Sequence, residues 1–253
     1  MNFEIRIFKG METLSRDAAT IFVDQAATTI EERGRFLVVL NGGTTPNRLF
    51  QLLATDYRDK VDWSNTHVFW GDERCVPPDE PGSNFGQAMD AFLGSVQIPD
   101  PNIHRIKGEL EPGEASKDYA ITLNRFASPP LEFPRFDLVY LGLGEDGHTA
   151  SLFPGSPVDM TKPVLPVTAN YQDRPANRVT LTDLVFNQSE RVVFMATGEK
   201  KAAALAEVLS DRYNPQAYPA QRINPKNGRL IWLVDEDAAG KLPRELTRQF
   251  CEG

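Results

Sequence analysis

Runs of consecutive apolar residues alternate along this chain with segments whose apolar positions recur every three or four residues. Phe3–Phe8 reads as a first strand. Residues 11–33 read as a helix with Leu14, Ala18, Ile21, Phe22 and Ala26 on one face, ended by Gly34. RFLVVLNGG (35–43) predicts a buried strand running into a glycine turn, and Pro46 marks the first turn of the next helix. HVFWGDE (67–73) predicts a strand, SNFGQAMDAFLG (83–94) a short helix and EASKDYAITLNRFA (114–127) an amphipathic helix. FDLVYLGLG (136–144) is the most apolar strand and ends in another glycine turn. RVTLT (178–182) and RVVFMATG (191–198) predict two more strands, GEKKAAALAEVLS (198–210) a strong helix and RLIWLVDEDAAG (229–240) a final strand.

Apolar strands that alternate with helices imply a parallel sheet covered on both faces. The expected architecture is therefore α/β: a single Rossmann-like domain over 1–253, its mostly parallel sheet flanked by helices. The proline-rich stretches 76–82, 128–134, 154–166 and 214–225 read as loops. In such sheets ligands bind outside the carboxyl ends of the strands. Four polar or glycine-rich segments, NGGTTP, GDER, GEDGH and TGEKK, fall at that edge.

Composition narrows the class. The chain has 253 residues, 41% hydrophobic and 25% charged, an ordinary globular balance with enough length to bury a substantial core. The net charge of -8 argues against broad contact with nucleic acid or an anionic membrane, because both require a basic face. A small anion is still admissible, since a few local cations and backbone amides can hold one. Cys75, Cys251 and three histidines show no metal-ligand spacing. MNFEIRIFKGMETLS does not read as a signal peptide, and no stretch is long and apolar enough to span a bilayer. A cytoplasmic protein without a metal is the expectation.

The chemistry follows from the four segments. In Asn41-Gly42-Gly43-Thr44-Thr45-Pro46 the glycines allow a tight turn and a close approach, and the following helix presents unpaired amides to an oxyanion. The competing reading is an ordinary turn with threonine as helix cap. This turn is neither a Walker A loop nor a GxGxxG dinucleotide loop. Lys201 sits in the first turn of a helix, where the dipole disfavours a cation, so an anionic partner is expected there; Lys200 reads as solvated. Asp72, Glu73 and Arg74 offer a carboxylate for a substrate hydroxyl and a guanidinium fork for an anion, against a salt bridge among the three. Ser83 and Asn84 read as a helix cap or as residues ordering the preceding loop. Glu145, Asp146 and His148 lie in one glycine-rich turn. Histidine is the side chain suited to accept and return a proton near neutrality, and either carboxylate is placed to fix its tautomer. His67, His104 and Ser151 read as structural.

Taken in order, NGGTTP, FWGDERCVPPDEPGSN, LGLGEDGHTASLFP, RVTLT and TGEKKA resemble the successive signatures of the 6-phosphogluconolactonase family across essentially the whole chain. The wider superfamily includes the glucosamine-6-phosphate deaminases. The resemblance implies hydrolysis of 6-phospho-D-glucono-1,5-lactone in the pentose phosphate pathway, without metal or organic cofactor. It implies His148 as base, with Arg74 and Lys201 on the phosphate or substrate. Asn41 departs from the serine of many members. On this reading the phosphate rests on the amides of Gly43, Thr44 and Thr45, in the binding turn that begins at Gly42, with Lys201 and Arg178 supplying charge, and the oxyanion meets the Gly144–Gly147 amides or Arg74. Arg178 reads equally as a sheet-edge ion pair. The expected partner is a small sugar phosphate lactone, with no nucleic acid and no membrane, on a monomer or weak homodimer. A deaminase using Asp72 as base, or a sugar-phosphate sensor without chemistry, are the alternatives. Arg74 disfavours the first and the lack of a DNA-binding segment the second.

Overall fold

The computed structural model describes residues 3–172 and 174–247. Strands β1 (Glu4–Phe8), β2 (Phe36–Leu40), β3 (Thr66–Trp70), β4 (Asp72–Arg74), β5 (Ile103–His104), β6 (Leu138–Gly142), β7 (Val164–Thr168), β8 (Asn177–Leu181), β9 (Arg191–Ala196) and β10 (Arg229–Asp235) form two sheets. Seven pair in parallel in the order β1-β10-β9-β6-β2-β3-β5, and three pair antiparallel in the order β4-β8-β7. Every residue of β2 is buried, as is nearly every residue of β6, β9 and β10. Successive side chains point to opposite faces of a sheet, so both faces of these central strands are covered.

The helices are α1 (Met11–Arg33), α2 (Asn47–Ala54), α3 (Asn84–Ala91), α4 (Pro112–Asn124), α5 (Asp183–Phe186), α6 (Ala202–Val208), α7 (Glu236–Ala239) and α8 (Arg244–Thr247). The first ends where its sequence requires: Gly34 adopts φ 73° and donates its N–H to the Ile30 carbonyl at 2.8 Å. It packs against β1, β2 and β10, and the buried Tyr140 hydroxyl of β6 donates to its Ala18 carbonyl at 2.6 Å. Tyr119 of α4 does the same at the end of β3, donating to the Trp70 carbonyl and accepting from the Trp70 N–H, each at 2.9 Å. Stacked Phe194 and Trp232 rings, 3.9 Å between centroids, fill the space over β9 and β10.

Three elements differ from the sequence reading. HVFWGDE is two strands, because the chain leaves the parallel sheet at Gly71 and pairs antiparallel with β8. RVTLT therefore belongs to the smaller sheet. Stretch 154–166, read as loop, contributes the first residues of β7; its proline and half-exposed alternation hide an edge strand that pairs with β8, the next strand along the chain. The last predicted strand ends at Asp235, whose side chain accepts from the Ala238 N–H and starts α7. Cys251 lies outside the described residues.

Candidate active site

Strands β9, β6, β2 and β3 are neighbours in the parallel sheet, so the segments following them meet at one edge. The smaller sheet adds a wall. Its register sets Arg74 directly across from Arg178 and Asp72 across from Thr180. Between them opens a cleft lined by Gly42–Thr45, Asp72, Arg74, Asn84, His148, Arg178 and Lys201 among others.

His148 Nδ1 lies 2.6 Å from Asp146 Oδ1, and the His148 backbone N–H donates to the same oxygen at 3.1 Å. Burial opposes charge on Asp146, but the histidine ring and the backbone donors outweigh it and hold the carboxyl below its ordinary pKa. An ionised carboxylate only accepts, so Nδ1 carries the proton, and in the neutral ring this tautomer leaves the lone pair on Nε2. Phe153 and Tyr171 flank the imidazole with centroids at 4.5 and 4.7 Å. Gly144 makes the geometry possible, since a Cβ there would stand 2.0 Å from His148 Nδ1. Gly147 closes the turn at φ 84°. Glu145 is exposed, and the carboxylate hydrogen-bonded to the His148 ring is that of Asp146.

The glycine turn after β2 is held by α3. Gln87 accepts from the Gly43 N–H at 3.2 Å and donates to the Gly43 carbonyl and to Asn47 Oδ1. Gly42 leaves room for Asn84, whose Oδ1 would be 1.7 Å from a Cβ at that position. The Gly43 amide is thus already used, which takes it out of the anion donors expected of this turn. Pro46, not a threonine, takes the cap position of α2.

The GDER residues form no mutual ion pair. Asp72, 5% exposed, accepts from Ser151 Oγ at 2.7 Å and from Asn84 Nδ2 at 3.2 Å. With its amide correctly oriented, Asn41 donates to the same carboxylate at 3.0 Å. Glu73, 2% exposed, accepts from the backbone N–H groups of Asn84 at 2.6 Å, Phe85 at 2.8 Å and Arg74 at 2.8 Å, holding the start of α3. Ser83 caps the same helix through the Gly86 N–H at 3.0 Å. Arg74 donates through Nη1 to the Gly82 carbonyl, but its Nε and both Nε and Nη2 of Arg178 are buried without a partner. Each orphaned donor costs about 1–3 kcal/mol, a cost that an arriving anion offsets. Burial pulls the Arg178 pKa down, Asp72 opposes this, and Arg74 reinforces it. The Arg178 guanidinium packs over the Phe153 ring that also flanks His148, 5.4 Å from its centroid. Half-buried Lys201 has no ion pair among the described residues; burial lowers its pKa and Glu145 and Asp146 oppose that.

The residues match the family model described as glucosamine-6-phosphate isomerases/6-phosphogluconolactonase over positions 9–232. The chain belongs to this isomerase/lactonase family. It is 38% identical over 241 residues to a 6-phosphogluconolactonase of Synechocystis sp., covering 94% of this chain and 98% of the relative. The crystal structure of 6-phosphogluconolactonase from Thermotoga maritima superposes with a TM-score of 0.80 at 30% identity, covering 92% of this chain and all of that one. A monomeric glucosamine-6-phosphate deaminase superposes with a TM-score of 0.82 at 20% identity, covering 94% of this chain and all of that one, which shows the shared fold alone.

Within this family frame, the cleft gathers His148, Asp72, Arg74, Arg178, Lys201 and the 42–45 turn, with Asp146 behind the imidazole and neither Asp146 nor Glu145 in its lining. The Gly144 and Gly147 amides, expected to face an oxyanion, instead donate to the His148 carbonyl at 2.8 Å and the Gly144 carbonyl at 3.1 Å. Sequence reasoning missed Gln87, Tyr171 and Arg174. Gln87 lies one helical turn after Asn84, a spacing that could have linked it to the same site; the 171–174 segment carries no motif. His67 and His104 lie outside the cleft-lining set and stack on each other, 3.2 Å from Nδ1 to Nε2. Among the described residues no three His, Cys, Asp or Glu side chains group to hold a metal ion.

Proposed function

We propose that this enzyme hydrolyses 6-phospho-D-glucono-1,5-lactone to 6-phospho-D-gluconate, with water activated by His148. One observation carries the reading: a His148–Asp146 pair at 2.6 Å opening on a cleft where Arg74 Nε and Arg178 Nε and Nη2 are buried without protein partners. The Thr44 and Thr45 amides, with Lys201, Arg74 and Arg178, hold the phosphate and the developing oxyanion between them. Anchoring the remote phosphate places C1 against the base.

Nε2 of His148 takes a proton from water as its oxygen bonds to C1. The carbonyl becomes a tetrahedral oxyanion, stabilised by the cations. The C1–ring-oxygen bond then breaks, and the imidazolium returns its proton to the ring oxygen. Asp146 keeps Nδ1 protonated throughout and stabilises the imidazolium. Asp72 faces a substrate hydroxyl.

The deaminase alternative needs Asp72 as a free base. Here three side-chain donors, Ser151, Asn84 and Asn41, already saturate much of its carboxylate, which favours the lactonase. Among the described residues no helix is long and apolar enough to cross a membrane. A cytoplasmic setting, a monomer or weak homodimer, and no nucleic-acid partner belong to the same proposal, supported by the acidic net charge of -8.

The test generates the lactone in situ with glucose-6-phosphate dehydrogenase and follows 6-phosphogluconate. Acceleration above the spontaneous rate is the expected result. A rate equal to the spontaneous one, together with ammonia release from glucosamine 6-phosphate, overturns it.

A further inference from the structure

Strands β7 and β8 are joined by a loop that the Ala169 N–H closes by donating to the Ala176 carbonyl at 2.9 Å. Tyr171, Gln172 and Arg174 of this loop line the cleft. Tyr171 packs edge-on against the His148 ring, 4.7 Å between centroids and 80° between planes. Arg174 lines the cleft and also a side cavity that it shares with Gly43, Thr44, Asn47, Arg74 and Gln87. A backbone hydrogen bond ties the two together, the Arg174 N–H donating to the Tyr171 carbonyl at 3.1 Å. Between them Gln172 holds φ 50°, a left-handed conformation that costs a non-glycine residue of order 1 kcal/mol or more.

Arg174 is exposed, and its guanidinium has no hydrogen bond or ion pair among the described residues. Arg6, Arg16, Arg33, Arg48 and Arg105 each have a carboxylate. An unpaired arginine facing other cations is repelled unless an anion lies between them. Arg174 lowers the pKa of both Arg178 and Lys201, so its charge is felt in the cleft.

We infer that Arg174 is a specificity-determining residue: its guanidinium completes the cation set around the substrate's phosphate, and its link to Tyr171 carries phosphate binding to the ring that packs on His148. The inference rests on the lactonase reading. It adds that the phosphate is read from the loop side as well as from the sheet edge, and that the enzyme prefers phosphorylated lactones partly through kcat.

The experiment compares wild type with Arg174→Ala, Arg174→Lys and Tyr171→Ala on 6-phosphogluconolactone and on unphosphorylated glucono-1,5-lactone. Loss of an exposed charge-assisted contact predicts a fall of about tenfold in the ratio of kcat/KM for the phosphorylated over the unphosphorylated lactone in Arg174→Ala. Arg174→Lys recovers part of that ratio, because it keeps the charge and loses the fork. Tyr171→Ala lowers kcat on the phosphorylated substrate more than it raises KM. An unchanged ratio in Arg174→Ala, or an equal loss on both lactones, overturns the inference. Inorganic phosphate binding by calorimetry separates it from the lactonase reading. If the wild type fails to accelerate either lactone, that reading falls. A phosphate affinity weakened severalfold in Arg174→Ala then still supports the Arg174 contact, and an unchanged affinity overturns it.

Discussion

Asp146 Oδ1 accepts two hydrogen bonds from one residue, His148 Nδ1 at 2.6 Å and the His148 N–H at 3.1 Å. The carboxylate is thereby fixed relative to both ring and backbone, so the base is oriented by a contact only two residues away. Replacing His148 by alanine is expected to lower kcat by roughly 10²-fold or more through loss of proton transfer. Asp146→Asn should lower kcat at least about tenfold, since an amide can hold the wrong tautomer. Initial rates in the coupled assay check both, and near-wild-type turnover in folded His148→Ala would remove it from the mechanism.

Gly144→Ala tests the space beneath that ring. A Cβ 2.0 Å from Nδ1 and 2.6 Å from Asp146 Oδ1 must displace the pair. Because a misplacement of about 1 Å can cost on the order of 10²-fold, the variant should lose kcat on that scale while keeping a cooperative melt. Full activity in a protein with wild-type circular dichroism would contradict the geometry.

Lys201→Ala should mainly raise KM, by about tenfold, because phosphate anchoring is largely shared by ground and transition states. Gln87→Ala should move KM the same way by freeing the Gly43 turn, whose amide and carbonyl it holds. Steady-state kinetics decide between these expectations and a pure kcat effect.

Glu73 gives a pH signature in stability. Burial pushes its carboxyl up to about 6, with the Asn84, Phe85 and Arg74 amides opposing. A folded-state pKa above the unfolded value means the native state holds the extra proton, so this contribution is present at low pH and is lost as pH rises from the ordinary glutamate range through about 6. The size is roughly 2 kcal/mol for a shift of this order. Asp137, also pushed up to about 6 mainly by burial, acts in the same direction, whereas His104, pushed down to about 4 by burial, acts in the opposite one. The comparison is therefore between Glu73→Gln and wild type at each pH. Urea unfolding from pH 4 to 7 should show a stability difference that shifts in favour of the variant as pH rises; a difference independent of pH would show that Glu73 does not titrate in this range.

Local pattern was enough for much of this protein. The unbroken apolar runs of β2, β6, β9 and β10 required a doubly covered parallel sheet, because only burial on both faces explains apolar residues at every position. Gly34 required the end of α1, and the glycine turns marked the strand ends where ligands bind. The segments carrying Asp72, Arg74, His148 and Lys201 were legible for the same reason: each follows directly on its strand.

What the chain could not reveal locally was set by contacts between distant segments. Both Glu145 and Asp146 flank a histidine in the sequence; only the folded turn puts one carboxylate on Nδ1 and turns the other to solvent. Break of the strand at Gly71, and the resulting pairing of Arg74 with Arg178, depends on β8, which lies about a hundred residues away and whose register no local period encodes. Gln87 spends the Gly43 amide that sequence reasoning assigned to phosphate, and the Gly144 and Gly147 amides are spent within their own turn. Whether a backbone donor is free for a ligand is a question of who else has reached it first, and that is decided only when the tertiary structure is complete.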